Sequence, residues 1–302
     1  MENYIETNHL DFSFGKLKVL NDLSINVSAG SIYGFLGPNG AGKSTTIRAI
    51  LGLYKTNGNH IRVFGESINT NRLSILNRIG ALVESPTLYD HLSGYDNLEI
   101  TRKLRNLSKN RTSEVLKIVN LQQDAKRPAK QYSMGMKQRL GLALTLLSEP
   151  ELLILDEPTN GLDPHGIIEI RELLLRLKKE RGTTIFISSH ILSEIERIAS
   201  HVGIINKGSL LFQGTLLELR EIGVSTVYIE TSELEKGLKL LQKNNFPLAK
   251  LNKSNMIEMD IENKEEINKI TRLLVKNDVP IFGISNSKKD LEQLFLDITK
   301  EN

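Results

Sequence analysis

The chain has no cysteine among its 302 residues. That excludes disulfides, thiolate metal sites and cysteine nucleophiles, and it agrees with a reducing compartment. It also lacks any run approaching the roughly 18 apolar residues that a membrane-spanning helix needs; Leu152 to Leu155 is only strand-length. The start, Met1-Glu-Asn-Tyr4, carries neither a basic nor an apolar region, so no secretory signal is expected. Any membrane role must therefore come through a partner. Charge of one sign is scarce as well. With 39 Lys and Arg against 36 Asp and Glu, the balance of +3 does not by itself point to nucleic acid. The six histidines are scattered and form no metal-ligand cluster. What remains, 39% hydrophobic and 25% charged residues, is ordinary for a globular protein with a real core, and the length suggests two domains.

One stretch stands out: Gly37, Pro38, Asn39, Gly40, Ala41, Gly42, Lys43 and Ser44, followed by Thr45. It fits the phosphate-loop pattern G-x-x-x-x-G-K-[ST]. Ser31 to Leu36 reads as a buried strand leading in, and Lys43 to Leu53 as the helix leading out. Gly37, Gly40 and Gly42 allow conformations that a Cβ forbids, so successive N–H groups can converge on phosphate oxygens. The helix N-terminus adds unpaired N–H groups and a positive dipole end. Lys43 can reach the β- and γ-phosphates, and the Ser44 hydroxyl can hold Mg²⁺. The pattern predicts a nucleoside triphosphate site.

Around it, short strand-like runs alternate with turns and helices. Leu10 to Phe14 and Val19 to Val27 read as strands, with Phe12 and Phe14 on one side. Phe12 is expected in the core, whereas Phe14 is as well suited to stacking on a purine. Asn57-Gly58 signals a turn. Ile61 to Phe64 and Ile79 to Val83 are strand-like, and His91 to Asn120 is mostly helical, with apolar spacing at Leu98, Leu104, Val115, Leu116 and Val119. The basic residues there (Arg102, Lys103, Arg105, Lys109, Arg111) read as a solvated face. An amphipathic helix opens after Tyr132 and ends near Pro150. Leu152 to Asp156 is a buried strand closing on two carboxylates, Asp156 and Glu157. Asp163-Pro164 caps a helix running to about Arg181. Thr183 to His190 is a strand, and Val202 to Leu211 a hairpin turning at Lys207-Gly208. A domain boundary is expected within Gly214 to Gly223. Beyond it, strands at 224–229, 256–261 and 279–284 alternate with helices that put Leu234, Leu238 and Leu241, then Ile267, Ile270 and Leu274, on single faces.

In a phosphate-loop protein, an Asp that ends a later apolar strand is expected to hold Mg²⁺. Asp156 occupies that place, and Glu157 beside it is a candidate general base for an attacking water. These residues together resemble the ATP-binding cassette ATPases, the nucleotide-binding subunits of ABC transporters. The resemblance runs from about Ile5 to Leu219. Residues 37–44 match Walker A and Leu152 to Asp156 match Walker B. Glu157 stands at the catalytic-glutamate position and Pro158 to Asp163 resembles the D-loop. His190 matches the switch histidine, and Phe14 the base-stacking aromatic.

Two departures mark the chain within that family. The signature usually written L-S-G-G-Q reads Tyr132-Ser133-Met134-Gly135-Met136, keeping Ser133 and Gly135. The loop that normally carries Gln has Glu84, which can ligate Mg²⁺ or accept a bond from water but, unlike an amide, cannot donate. Both features, with the small tail, look like the subgroup conferring bacitracin resistance and lantibiotic immunity. The resemblance implies an α/β P-loop NTPase with a RecA-like core, an antiparallel β subdomain and a helical subdomain around 85–150. It makes residues 1–219 the cassette and 220–302 a small α+β accessory domain. It further implies ATP and Mg²⁺ as cofactors, with Lys43, Glu157 and His190 catalytic, Ser44, Asp156 and Glu84 toward the metal, and Ser133 and Gly135 toward the γ-phosphate of a second copy in a head-to-tail homodimer. A membrane permease, docked on the helical lobe near Glu84 to Asn97, would hold the subunit at the cytoplasmic face, with no nucleic-acid partner. The expected function is ATP-driven export of a peptide antibiotic. The alternatives are another exported cargo (lipid, sodium, haem, polysaccharide) or a soluble cassette ATPase acting on nucleic acid or ribosomes.

Overall fold

The computed structural model describes residues 2–56, 58, 60–222, 225–244, 246–252, 254–261, 263–288 and 291–300. The chain divides into two compact units, 1–216 and 217–300. In chain order the first contains β1 (Asn3–Phe14), β2 (Leu17–Ser28), β3 (Ile32–Leu36), α1 (Lys43–Ile50), β4 (Ile61–Val63), β5 (Glu66–Ser67), α2 (Ile68–Asn77) and β6 (Ile79–Leu82). It continues through α3 (Gly94–Leu104), α4 (Arg111–Ile118), α5 (Met134–Leu146), β7 (Leu152–Asp156), α6 (Pro164–Arg181), β8 (Thr184–Ser189), α7 (Leu192–Glu196), β9 (His201–Asn206) and β10 (Ser209–Thr215).

Two sheets organise this unit. Strands β2-β1-β4-β5 form an antiparallel sheet, and β10-β9-β3-β8-β7-β6 form a second that is parallel except for the edge pair β9–β10. Strands β3, β7 and β8 are buried at every position, which is why β3 and β7 up to Leu155 read as unbroken apolar runs rather than alternating ones. One core joins both sheets: Ile5, Leu20 and Ile25 pack with Phe35, Ile47 and Phe186. Within it, Tyr33 stacks on Phe186 with centroids 5.6 Å apart. Burial pushes the Tyr33 phenol well above its usual range, and its O–H donates to Gln213 Oε1 at 2.8 Å. Helix α6 starts where the sequence signals it, with Asp163 accepting from the Gly166 N–H at 2.9 Å and Pro164 in the first turn, and it stops at Gly182 with φ +66°.

Helix α8 (Leu216–Ile222) spans the division between the units, so most of the stretch read as a boundary is helical. The second unit then runs β11 (Ser225–Glu230), α9 (Leu234–Lys243), β12 (Lys250–Leu251), β13 (Ile257–Ile261), α10 (Lys264–Lys276), β14 (Gly283–Lys288) and α11 (Leu291–Lys300). Its antiparallel sheet, ordered β12-β13-β11-β14, is a ferredoxin-like split βαβ arrangement followed by a helix. Leu234, Leu238 and Leu241 of α9 pack with Ile267, Ile270 and Leu274 of α10 against Val227 and Met259.

Several sequence expectations need correction. Val279 to Phe282 is not strand: the Val279 N–H closes α10 by donating to Leu274 O at 3.0 Å, Pro280 has no N–H to give, and β14 starts only at Gly283. The short β12 and helix α2 carry too little periodicity to be read. Leu104 is 80% exposed rather than core. Conversely, Arg102 and Arg111 are buried, not part of a solvated face. Arg102 Nε donates to Glu99 at 2.8 Å, and Arg111 donates to the carbonyls of Leu146 and Leu147 that end α5. In the Asn57-Gly58 turn signal, Asn57 lies outside the described residues.

The hairpin between β9 and β10 turns at Lys207-Gly208, as its sequence signals, and braces the phosphate loop. The Gly208 N–H donates to Ala41 O and its carbonyl accepts from the Asn21 N–H, both at 2.9 Å. Gly208 sits at φ +83°, and a Cβ there would fall 2.2 Å from the Val19 carbonyl oxygen. Gly208→Ala is therefore expected to destabilise the first unit by about 1–3 kcal/mol, through backbone strain and displaced backbone. Thermal unfolding checks this: the melting temperature should fall, and an unchanged melt would refute the bracing role.

Candidate functional site

The parallel order β3-β8-β7 brings three carboxyl ends to one edge of the sheet, with Leu36 opposite Ser189 and Asp156 opposite Ser188. Ligands of open α/β sheets bind at such edges. From β3 the chain enters residues 37–44. Gly37 needs its missing Cβ because that atom would lie 2.4 Å from Ile205 O, and Gly42 stands at φ +110°. Gly42 is also the N-cap of α1, and no side chain caps it. With no acidic residue in the first turn, the N–H groups and positive dipole end face outward unneutralised. Pro38 is half-buried, Asn39 and Gly40 form the exposed tip, and Ala41 is buried. Ser44 and Thr45 are half-buried in the first turn.

Lys43 is 5% exposed and curls back over the loop. Its Nζ donates to Gly37 O at 2.8 Å and Pro38 O at 3.2 Å, and stands 3.1 Å from Glu157 Oε1. The other oxygen, Glu157 Oε2, lies 3.0 Å from His190 Nδ1. Glu157 thus bridges two cationic or proton-donating groups drawn from two other strand ends. Its backbone turns off β7 at φ +46°, a left-handed position unusual for a side chain of this length.

Asp156, 6% exposed, behaves differently. The buried Ser188 hydroxyl donates to Asp156 Oδ1 at 2.6 Å and accepts from the Glu157 N–H at 2.9 Å. No lysine, arginine or histidine among the described residues pairs with Asp156. A buried carboxylate near the Ser44 hydroxyl, both lining one cleft of about 340 Å³, is a hard-oxygen donor set suited to Mg²⁺, which takes one or two protein oxygens and completes its shell with water and phosphate. The donor set fits the metal.

Glu84 and Glu157 line the same cleft, with Met134, Gln138, Asn160 and Gly161. Glu84 sits at φ +66°, mostly exposed, and its carboxylate pairs with the Arg48 guanidinium of α1. Phe14, 48% exposed, is held outside the cleft, edge-on to Phe12 at 5.0 Å and to Tyr54 at 5.3 Å, while Phe12 and Tyr54 stack. Ser133 and Gly135 do not line it either. Ser133 caps α5 by accepting from the Met136 N–H at 3.2 Å, leaving its O–H to donate, and nothing lies within 4 Å of where a Gly135 Cβ would be.

Sequence reasoning missed Ser188, Arg48 and Tyr54. Arg48 and Tyr54 carry no local signal. Ser188 had one: two serines inside an otherwise apolar buried strand, directly before His190. Ser188→Ala would strip Asp156 of its orienting hydrogen bond and leave a buried N–H unpaired, costing about 1–3 kcal/mol. Metal affinity at Ser44 and Asp156 is expected to fall about 10–100-fold. Equilibrium titration of Mg²⁺-dependent nucleotide binding measures it; wild-type affinity would remove Ser188 from the site.

The family model described as ABC transporter matches residues 20–160. The chain is 44% identical over 299 residues to the bacitracin transport ATP-binding protein BcrA of Bacillus licheniformis, covering 98% of this chain and 97% of that one. It is 44% identical over 210 residues to the lantibiotic transport ATP-binding protein SrtF of Streptococcus pyogenes, covering 69% and 90%. A solved ATP-binding subunit of an ABC transporter superposes with a TM-score of 0.65 at 30% identity, covering 72% of this chain and 92% of that one. Phosphate loop, strand-end carboxylates and full-length similarity agree: the chain belongs to the ABC transporter family, as an ATP-hydrolysing, ATP-binding subunit.

Proposed function

We propose that this subunit powers export of a peptide antibiotic of the bacitracin or lantibiotic type through a partner permease. The observation that carries the cargo is the 44% identity to the bacitracin transport protein across 98% of the chain, second unit included. Residues 1–219 act as the cassette and 220–302 as an accessory domain of structural role. Among the described residues no helix is long and apolar enough to cross a membrane. In this reading a partner permease holds the subunit at the cytoplasmic face of the membrane.

The chemistry follows from the pairing around Glu157. A γ-phosphate carries more negative charge than a carboxylate, so it competes for Lys43 and for His190. As both turn to phosphate, Glu157 is released within reach of a water in line with the γ-phosphorus and takes its proton. The backbone N–H groups of Asn39, Gly40, Gly42, Lys43 and Ser44, with the Lys43 ammonium, neutralise the phosphoryl oxygens. Ser44 and Asp156 would hold Mg²⁺, which would supply positive charge to offset that of the triphosphate, with Glu84 also in the cleft. Phe14 stacks on the adenine. In a head-to-tail homodimer, the Ser133 O–H and the Gly135 N–H of the second copy reach the same γ-phosphate. ADP lacks that group, so only ATP favours the closed pair.

Glu157→Gln should reduce turnover by about 10²–10⁴ while ATP still binds, because the amide cannot take the water proton. Parallel measurements of phosphate release and nucleotide binding check it, and near-normal turnover would remove Glu157 from the mechanism. For the cargo, cells expressing the chain with its permease should resist bacitracin or a lantibiotic, and Lys43→Ala should abolish that resistance. If the assembled complex hydrolyses ATP yet shifts susceptibility to no peptide, the cargo is of another class.

A further inference from the structure

Three carboxylates, Glu84, Asp156 and Glu157, line the cleft that contains Ser44. A triphosphate approaching them unshielded would be repelled. Two of the three are already paired, and both partners stand on α1: Lys43 takes Glu157, and Arg48 takes Glu84. Ser44 and Arg48 are four residues apart in α1, so they share one helix face, a turn from each other. Arg48 is itself held, with a side-chain exposure of 26% and Nη1 3.5 Å from the Tyr54 hydroxyl. The Glu84 backbone stands at φ +66°, in the left-handed region that non-glycine residues occupy only uncommonly.

We propose that Arg48 is a positioning residue for Glu84, holding its carboxylate one helical turn away from Ser44 and off the metal and phosphate positions. Glu84 then has two exclusive partners: Arg48, or the metal side of the cleft. Pairing with one lowers its availability to the other by the fraction of time it is engaged. The inference rests on the reading of Ser44 and Asp156 as the Mg²⁺ site, and it adds a residue on the other side of Glu84.

The test is a double-substitution cycle read by binding. Mg²⁺ is titrated against a fluorescent ADP on the whole chain, for wild type, Arg48→Gln, Glu84→Gln and both together. An exposed ion pair is worth a factor of about two to five. Arg48→Gln is therefore expected to tighten apparent Mg²⁺ affinity about two- to five-fold when Glu84 is present, and to do nothing of the kind in the Glu84→Gln background. An equal effect in both backgrounds would mean that Arg48 acts as a general charge, and would overturn the proposal. So would no effect in either. If Arg48→Gln fails to fold, Arg48→Lys takes its place in the cycle: with the planar guanidinium lost, apparent Mg²⁺ affinity should tighten by a smaller factor and only when Glu84 is present, and an equal effect in both backgrounds, or none, would overturn the assignment. Absence of Mg²⁺-dependent nucleotide binding in the wild type would instead sink the underlying reading of the metal site.

Discussion

Glu157 offers two carboxylate oxygens, and each is taken by a group from a different strand end, Oε1 by Lys43 after β3 and Oε2 by His190 after β8. The arrangement exists only because β8 lies between β3 and β7 in the sheet. With that order, the β8 end that carries His190 lies between the β3 end that leads to Lys43 and the β7 end that carries Glu157. The Ser188 hydroxyl then locks the spacing of β7 and β8 at the point of use, because it bonds both Asp156 and the N–H of Glu157. Sheet order, one buried hydroxyl and one left-handed turn at Glu157 place the chemistry.

The loop that faces this cluster is held from behind by the other sheet and the β9–β10 hairpin. Gly208 links Ala41 of the phosphate loop to Asn21 of β2 through its own N–H and carbonyl. Gly37 lies against Ile205 so closely that a side chain has no space. A site that must aim several backbone N–H groups at one ligand gains from such rigidity, since reorganising those dipoles on binding would cost much of what they contribute. The charged groups of the site, Lys43, Glu157, His190, Glu84 and Arg48, are by contrast held through side-chain pairings that an incoming phosphate or metal can compete for.

Much of this was legible in the sequence because the signals are local. A glycine pattern between strand and helix, an apolar run ending in Asp156-Glu157, and a cap at Asp163-Pro164 each depend on adjacent residues. What stayed hidden depends on partners far along the chain. Arg48 reads as an ordinary helical cation until the fold puts Glu84, 36 residues on, beside it. Arg102 and Arg111 read as solvated because composition cannot show that Glu99 and the carbonyls ending α5 would satisfy them in the interior. Val279 to Phe282 had strand composition, and backbone hydrogen bonding overrode it: the first N–H was needed to close α10.

The glutamate at position 84 changes the electrostatic problem the cleft must solve. An amide there could donate to one oxygen and accept from another, and would be indifferent to the charge of what arrives. A carboxylate can only accept, and at about 4 Å from another anion it costs on the order of 4 kcal/mol near a protein surface. Such a residue is tolerable beside a triphosphate only if a cation meets it, and there are two candidates, the metal and Arg48. Because Arg48 stands on the helix that also carries Lys43 and Ser44, whichever partner Glu84 takes, it stays tied to the phosphate-binding element. The Arg48–Glu84 pair thereby ties the loop leading from β6 toward α3 to the helix that follows the phosphate loop, through a charge-assisted contact stronger than the hydrogen bond a neutral amide would accept from the same guanidinium.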